Sequence, residues 1–256
     1  MITSTHNSKL QLVRSLLGRP KERRQSGAFV AEGVRLVEEA LAVDWPFRFV
    51  LAGDDLSPRG QELITRLQQH GVDVEFIPQN LMSTIGETEA TQGILAVLDP
   101  SPLLFPKTIS FALILDQVRD PGNLGTLLRT AVAAGVQVVL LTPGTTDAYA
   151  PKVVRAGMGA HFRLPIFNMT WEQIRSHTHD LSVLLADMEG TPCWQADLTL
   201  PLALVIGGEA EGSSPEVLSL VNSSLAIPMP GEVESLNAAV AGSILMFEVV
   251  RQRAGR

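Results

Sequence analysis

The chain has 256 residues, 45% of them hydrophobic and 18% charged, a formal net charge of −7 and one cysteine. That length allows two modest domains or one large α/β domain, and the lone Cys193 excludes an internal disulfide or a multi-cysteine zinc site. No apolar run approaches the roughly 18–20 residues that cross a bilayer, and "MITSTHNSKLQLVRS" has no apolar leader core, so a cytoplasmic protein with no membrane partner is expected. His177 and His179, two apart, would diverge on a helix, so no metal is expected either. Residues 1–24 hold Lys9, Arg14, Arg19, Lys21, Arg23 and Arg24 against Glu22, a net of +5, so the remainder carries −12. This basic arm suits an anionic partner such as an RNA backbone, or it is a solvated basic helix.

In chain order, Ser8 to Leu17 reads as a helix ahead of the basic segment. "AFVAE" reads as a short strand that leads through Gly33 into the amphipathic helix "VRLVEEALA". "FRFVLAG" follows as a strand, "GQELITRLQQHG" as a helix closed by Gly71, and "VDVEFIP" and "GILAVLD" as strands. This βα alternation predicts a small α/β domain over residues 1–99 with a mainly parallel sheet. Pro100, Pro102 and Pro106 make residues 100–110 a stiff, extended linker. Alternation restarts over 111–256, with strands at "FALILD", "QVVLLT", "LSVLLADM", "LALVIGGE" and "SLAIPM" and helices at "PKVVRAGMGA" and "TWEQIRSHTHD". A last helix begins near Ser235 and is apolar nearly all round, which predicts burial within the fold or against a second copy of the chain.

Ligands of open α/β sheets bind beyond the carboxyl ends of the strands, and three strand ends here carry unusual loops. "DPGNLGTLLRTAVAAG" (Asp120 to Gly135) lacks the Lys-Ser/Thr pair of a phosphate loop and the glycine spacing of a dinucleotide fingerprint. Its helix places Gly122, Gly125 and Arg129 on one face, beside a stripe of Leu124, Leu127, Leu128 and Ala131. Arg129 is either a surface residue of an amphipathic helix or a ligand-directed guanidinium. "IGGEAEGSSPE" (Ile206 to Glu216) is Gly-rich but acidic, and its carboxylates would repel a pyrophosphate. It suits a neutral or cationic ligand, or it is a plain strand-to-helix turn in which Ser213 or Ser214 caps a helix starting at Pro215. In "IPMPGEVESLNAAVAG" (Ile227 to Gly242), Pro228 and Pro230 fix the backbone into a frame able to read an adenine edge. Ser235 is the candidate N-cap there, with Asn237 in the first turn satisfying an end amide.

Taken together, "DPGNLGTLLRTA" (Asp120 to Ala131), "LVIGGEAEG" (Leu204 to Gly212) and "IPMPGEVESLNAAVA" (Ile227 to Ala241) closely resemble the three motifs of the SpoU (TrmH-like) branch of the SPOUT RNA methyltransferases. Residues 1–99, with "FVAEGVRLVEEAL", are more diffusely similar to the L30e-like RNA-binding module that precedes many such domains. The resemblance implies a C-terminal α/β domain with a deep trefoil knot, S-adenosylmethionine held in that knot, a homodimer with the site near its interface, and methylation of a ribose 2′-hydroxyl in RNA. It assigns catalytic roles to Asn123, Arg129, Glu209, Ser235 and Asn237, and donor contacts to Gly207, Ile227 and Leu236, with Met229 and Thr142 lining the same pocket.

On this reading Arg129 grips the target phosphate or 2′-oxygen and steadies the developing alkoxide. An arginine pKa above about 12 confines any general-base role to an unusual environment or a route through the phosphate. The 2′-hydroxyl selects RNA over DNA. Large-subunit (23S) ribosomal RNA is the expected substrate, transfer RNA the alternative. The rivals are a non-catalytic RNA- or ribosome-binding protein of the same fold and a nucleotide-dependent dehydrogenase, against which the acidic second loop counts.

Overall fold

The computed structural model describes residues 2, 4–85, 93–100, 102–207, 214–231 and 233–255. The first elements are α1 (Ser8–Gly18), α2 (Pro20–Ser26), β1 (Phe29–Glu32), α3 (Val34–Leu41), β2 (Phe47–Gly53), α4 (Pro58–Gln69), β3 (Val74–Ile77), α5 (Gln79–Met82) and β4 (Ile94–Leu98). Next come β5 (Phe111–Asp116), α6 (Pro121–Ala133), β6 (Val138–Leu141), α7 (Pro151–Gly157), β7 (Ile166–Asn168) and α8 (Trp171–His177). The last are β8 (Ser182–Pro192), β9 (Leu202–Gly207), α9 (Pro215–Leu218), β10 (Ser223–Ala226) and α10 (Ala238–Ala254). They form two compact units, one of residues 1–102 with 149–162 and one of residues 103–148 with 163–256. The stretch 149–162, which the sequence reading places within 111–256, belongs to the first unit, where the Tyr149 ring lies 4.9 Å from Phe29 and Phe162 lies 5.1 Å from Trp45.

The first unit is a four-stranded sheet in the order β1-β4-β2-β3. Asn7 starts α1 by accepting a hydrogen bond from the Lys9 amide, and Leu10, Val13, Leu16 and Leu17 then form its buried stripe. That stripe joins Val30, Leu51, Ile77, Leu95 and Val97 in one core. The sheet is not mainly parallel as expected. Only β2 and β3 run parallel, whereas β4 lies between β1 and β2 and opposes both. Apolar patterning marks a strand but not its direction; direction follows from the connection, and the only helix described between β3 and β4 is the four-residue α5, not a packed crossover.

The basic segment folds as α2, opened by Pro20 and closed by Gly27 at φ 58°. Arg23 is buried there and donates to the carbonyls of Leu16 and Leu17 at the end of α1. It therefore acts as a structural clamp and not as the RNA contact expected of it. Lys9 is likewise engaged, with Nζ 2.6 Å from Asp73 and 3.3 Å from Glu75. Burial alone would lower its pKa, but the bonds to these carboxylates outweigh that and hold the ammonium above its ordinary value. Arg14 donates to Thr84 Oγ1 at 3.1 Å. Arg19, Lys21 and Arg24 remain exposed.

The second unit is a six-stranded, wholly parallel sheet in the order β10-β8-β9-β5-β6-β7. Ala112, Ile114, Val138, Leu140, Val183, Ala203 and Val205 form one buried face with Ile174 of α8 and Val217 of α9. α6 and α10 pack on each other, and α10 also packs on β9. Gly242 permits this approach, because a Cβ there would stand 2.5 Å from Leu127 Cδ2 and 3.2 Å from Ile206 Cγ1. The apolar α10 is thus buried on one side only, with Val240, Ile244 and Phe247 exposed by 48%, 41% and 49%.

Candidate functional site

Beyond the carboxyl ends of β9 and β10, and beside the middle of β8, the second unit holds a cleft of about 550 Å³. Ile206 and Gly207 form its floor at the end of β9, while Leu225, Ile227 and Met229 follow from β10. Ser235, Leu236, Asn237 and Ala238 lead into α10, whose Ala241 and Leu245 complete that wall. The opposite wall arises from a register jump. Ser224 pairs with Leu185 but Leu225 pairs with Thr191, so residues 186–190 leave the β10 ladder, and Ala186, Asp187 and Met188 line the cleft. Gly190 closes this excursion directly over the Ser224–Leu225 peptide.

Asn237 joins two of the loops. Its Oδ1 accepts from the amides of Ala239 (2.9 Å) and Val240 (3.2 Å), and its Nδ2 donates to Asn123 Oδ1 at 3.0 Å. Asn123 is fixed in turn by its own amide, which donates to the α6 cap Asp120 at 2.7 Å. The N-termini of α6 and α10 are therefore tied by an amide pair. Asn237, not the expected Ser235, is the N-cap of α10: its backbone is non-helical and its side chain accepts the first-turn amides, so it stands before the helix and not in its first turn. Ser214 caps α9 ahead of Pro215, as one reading of the second loop expected.

Of the expected donor-binding residues, Gly207, Ile227, Met229 and Leu236 line the cleft, as do Ser235 and Asn237 of the expected catalytic group. Asn123 reaches it through Asn237. Thr142 does not line it: it is buried, with Oγ1 donating to Asp116 Oδ1 at 2.9 Å, because its strand ends two places from β9 across the sheet. Arg129 is exposed on α6 and does not line the cleft of its own chain. Glu209 lies outside the described residues, as do Gly208, Glu211, Gly212 and Ser213. Among the described residues, Asp187 is the one charged group lining the cleft and no lysine or arginine lines it, so this lining suits a neutral or positively charged ligand with a large apolar surface. Sequence reasoning passed over it, because "LSVLLADM" reads as one strand and nothing in it marks the register jump that turns Asp187 to the cleft.

Residues 110–247 match the SpoU rRNA Methylase family, which covers more than half of the chain. The chain belongs to the SpoU rRNA methylase family. Residues 7–96 match the MRM3-like substrate binding domain. Among its relatives in the SpoU family is the 23S rRNA (guanosine(2553)-2′-O)-methyltransferase RlmP of Bacillus subtilis, 33% identical over 97% of this chain and 98% of that one. An AdoMet-bound rRNA methyltransferase from Sinorhizobium meliloti has a similar structure, with TM-score 0.85, 30% identity, and 98% and 97% of the two chains covered. So does the SpoU methyltransferase AviRb of Streptomyces viridochromogenes in complex with AdoMet, with TM-score 0.84, 28% identity, and 98% and 100% coverage. The α/β fold with its parallel sheet is therefore that of SpoU methyltransferase structures.

Proposed function

We propose that this protein is an S-adenosylmethionine-dependent methyltransferase acting on a ribose 2′-hydroxyl of ribosomal RNA, and specifically of the large-subunit (23S) molecule. The observation that carries the reading is the cleft, built from the end of β9, the third motif loop and residues 186–188, and bare of basic side chains among the described residues. It fits the donor: Ile206, Leu225, Ile227 and Leu236 offer apolar walls to an adenine, and Asp187 offers a carboxylate to a molecule with cationic groups. When bound, S-adenosylmethionine supplies a methyl group on a sulfonium. The remaining work is positioning and proton removal, because a ribose hydroxyl is a poor nucleophile; good alignment alone supplies up to about 7–11 kcal/mol. Ser235 and Asn237 on the rim hydrogen-bond the ribose or hold the third loop, Asn123 orients Asn237, and Glu209 orients Arg129. Arg129 steadies the target phosphate or the 2′-oxygen as its proton leaves.

Arg129 stands away from its own cleft, and this favours a homodimer in which it serves the cleft of a second copy. The exposed stripe Val240, Ile244 and Phe247, spaced by four and three residues along α10, is a self-complementary surface of the right chemistry. A deep trefoil knot belongs to the same reading, supported by the likeness of this chain to solved SpoU and rRNA methyltransferase structures. So does an L30e-like RNA-binding role for residues 1–99, followed by a linker over 100–110 and the methyltransferase domain over 111–256. The match of residues 7–96 and the exposed Arg19, Lys21 and Arg24 support that role. No described helix is long and apolar enough to cross a membrane; a cytoplasmic location is part of the proposal, and cell fractionation tests it.

The deciding experiment incubates the purified protein and labelled donor with deproteinised ribosomal RNA, transfer RNA and DNA, then maps 2′-O-methyl marks. Transfer to the large-subunit RNA is expected. Transfer to transfer RNA alone would change the substrate, and donor binding without transfer to any RNA would favour the non-catalytic alternative.

A further inference from the structure

Asp116 ends β5 and is only 2% exposed, yet the reaction scheme above gives it no part. Its carboxylate reaches in two directions. Oδ1 accepts from Thr142 Oγ1 at 2.9 Å, at the end of the neighbouring strand β6. Oδ2 accepts from the Ser214 amide at 3.3 Å, where the chain arrives at α9. In the sheet itself Asp116 is the register partner of Gly207, a residue of the cleft floor. Thr142 is committed on its other side, because Oγ1 also accepts from the Gln117 amide at 3.1 Å. That bond holds Gln117 at φ 52°, a left-handed conformation unfavourable for a side-chain-bearing residue. Gln117 begins the turn into α6, and α6 carries Asn123 against Asn237 at the cleft rim.

From this geometry we infer that Asp116 is a positioning residue for methyl transfer: with Thr142 it fixes the α6 turn, and through the Ser214 amide the start of α9, relative to Gly207 on the cleft floor. The inference rests on the methyltransferase reading. The carboxylate geometry makes the claim specific, because both of its bonds need an acceptor oxygen. An Asn at 116 keeps one acceptor oxygen and turns an N–H group toward the other donor: facing Ser214 it breaks that tie, and facing Thr142 it reverses the bond and takes away the acceptor of the Thr142 hydroxyl proton. A Val at 142 matches Thr in shape but removes the hydroxyl that serves both Asp116 and Gln117.

The test measures kcat per donor-binding site, counted by titration, for Asp116→Asn, Thr142→Val and Thr142→Ser. Misplacement of reacting groups by about 1 Å costs on the order of 100-fold, so Asp116→Asn and Thr142→Val should each lower per-site kcat by roughly 10- to 100-fold while the KM for RNA changes little. Thr142→Ser, which keeps the hydroxyl, should restore most of the rate lost in Thr142→Val. The double variant Asp116→Asn/Thr142→Val should be scarcely slower than the slower single, since both cut one network. A purely structural role would lower the melting temperature and the count of donor-binding sites but leave kcat per site at the wild-type value. That result, or a Thr142→Ser variant as slow as Thr142→Val, overturns the inference while the wild-type protein still transfers methyl groups. If Asp116→Asn does not fold, the Thr142 pair decides. A wild-type protein that transfers nothing overturns the function and this inference with it.

Discussion

Replacing Gly190 by Ala tests the origin of the cleft wall. A Cβ at 190 would lie 2.5 Å from the Ser224 carbonyl carbon, 2.6 Å from the Leu225 nitrogen and 2.7 Å from the Ser224 oxygen. All three are backbone atoms of β10, so no side-chain rotation relieves the overlap, and either the 186–190 excursion or β10 must move. Such overpacking costs about 1–3 kcal/mol, and a backbone collision belongs at the upper end. Alanine also stiffens the unfolded chain, which offsets about 0.4–1 kcal/mol. The net loss of about 2 kcal/mol should lower the melting temperature by roughly 4–8 °C in a chain of this size. Because the displaced segments carry Asp187 and Met188 on one side and Leu225 and Ile227 on the other, donor affinity should fall as well. Differential scanning calorimetry and isothermal titration with S-adenosylmethionine read the two effects. A variant with wild-type melting and wild-type donor affinity would refute the idea that this close approach of β8 to β10 shapes the cleft.

Arg129→Ala should reduce transfer by about 100-fold or more while leaving the donor Kd nearly unchanged, since its proposed contact is with the RNA phosphate or 2′-oxygen and not with the donor; near-normal single-turnover rates would remove it from the chemistry. Asp187→Asn should weaken donor binding by roughly two- to fivefold, as for an exposed charge pair, with the difference shrinking at high salt; equal Kd values at low salt would sink that assignment. Glu248 is held below the ordinary carboxylate range, first by its bonds to Arg251 and then by Gln252, against the opposing effect of burial. The stability it adds is therefore present above its unfolded value of 4.5 and is lost as pH falls through the lower folded value. Acid unfolding of Glu248→Gln should show a shallower loss of stability below that pH, and curves of identical slope would show that the pair contributes nothing.

Much of the secondary structure is written in local patterns. The four- to seven-residue apolar runs at β2, β4, β5, β6 and β9 are bounded by turn residues, and the α1 stripe repeats at helical spacing. The three-residue β7 was passed over because "IFN" is too short to show a period. Proline and glycine constrain backbone wherever they stand, so the three loops stood out locally; the grouping of Gly207, Ile227, Met229, Leu236, Ser235 and Asn237 into one site came from the resemblance to the SpoU motifs, and these six line one cavity.

From the residues alone came the longer elements and the kinds of residue at the strand ends, because periodicity, capping and turn chemistry act over a few residues; α2, α5 and β7 were too short to show a pattern. Only the tertiary structure decided which way β4 runs, that Arg23 is buried as a clamp on α1, that Thr142 serves Asp116 instead of the cleft, and that Asp187 enters the site through a register jump in β8. Each of these depends on a partner far away in the chain, such as Ser224 and Leu225 for residues 185–191 or Asp116 for Thr142. A local pattern carries no signal about such partners; the packing that brings them together creates it.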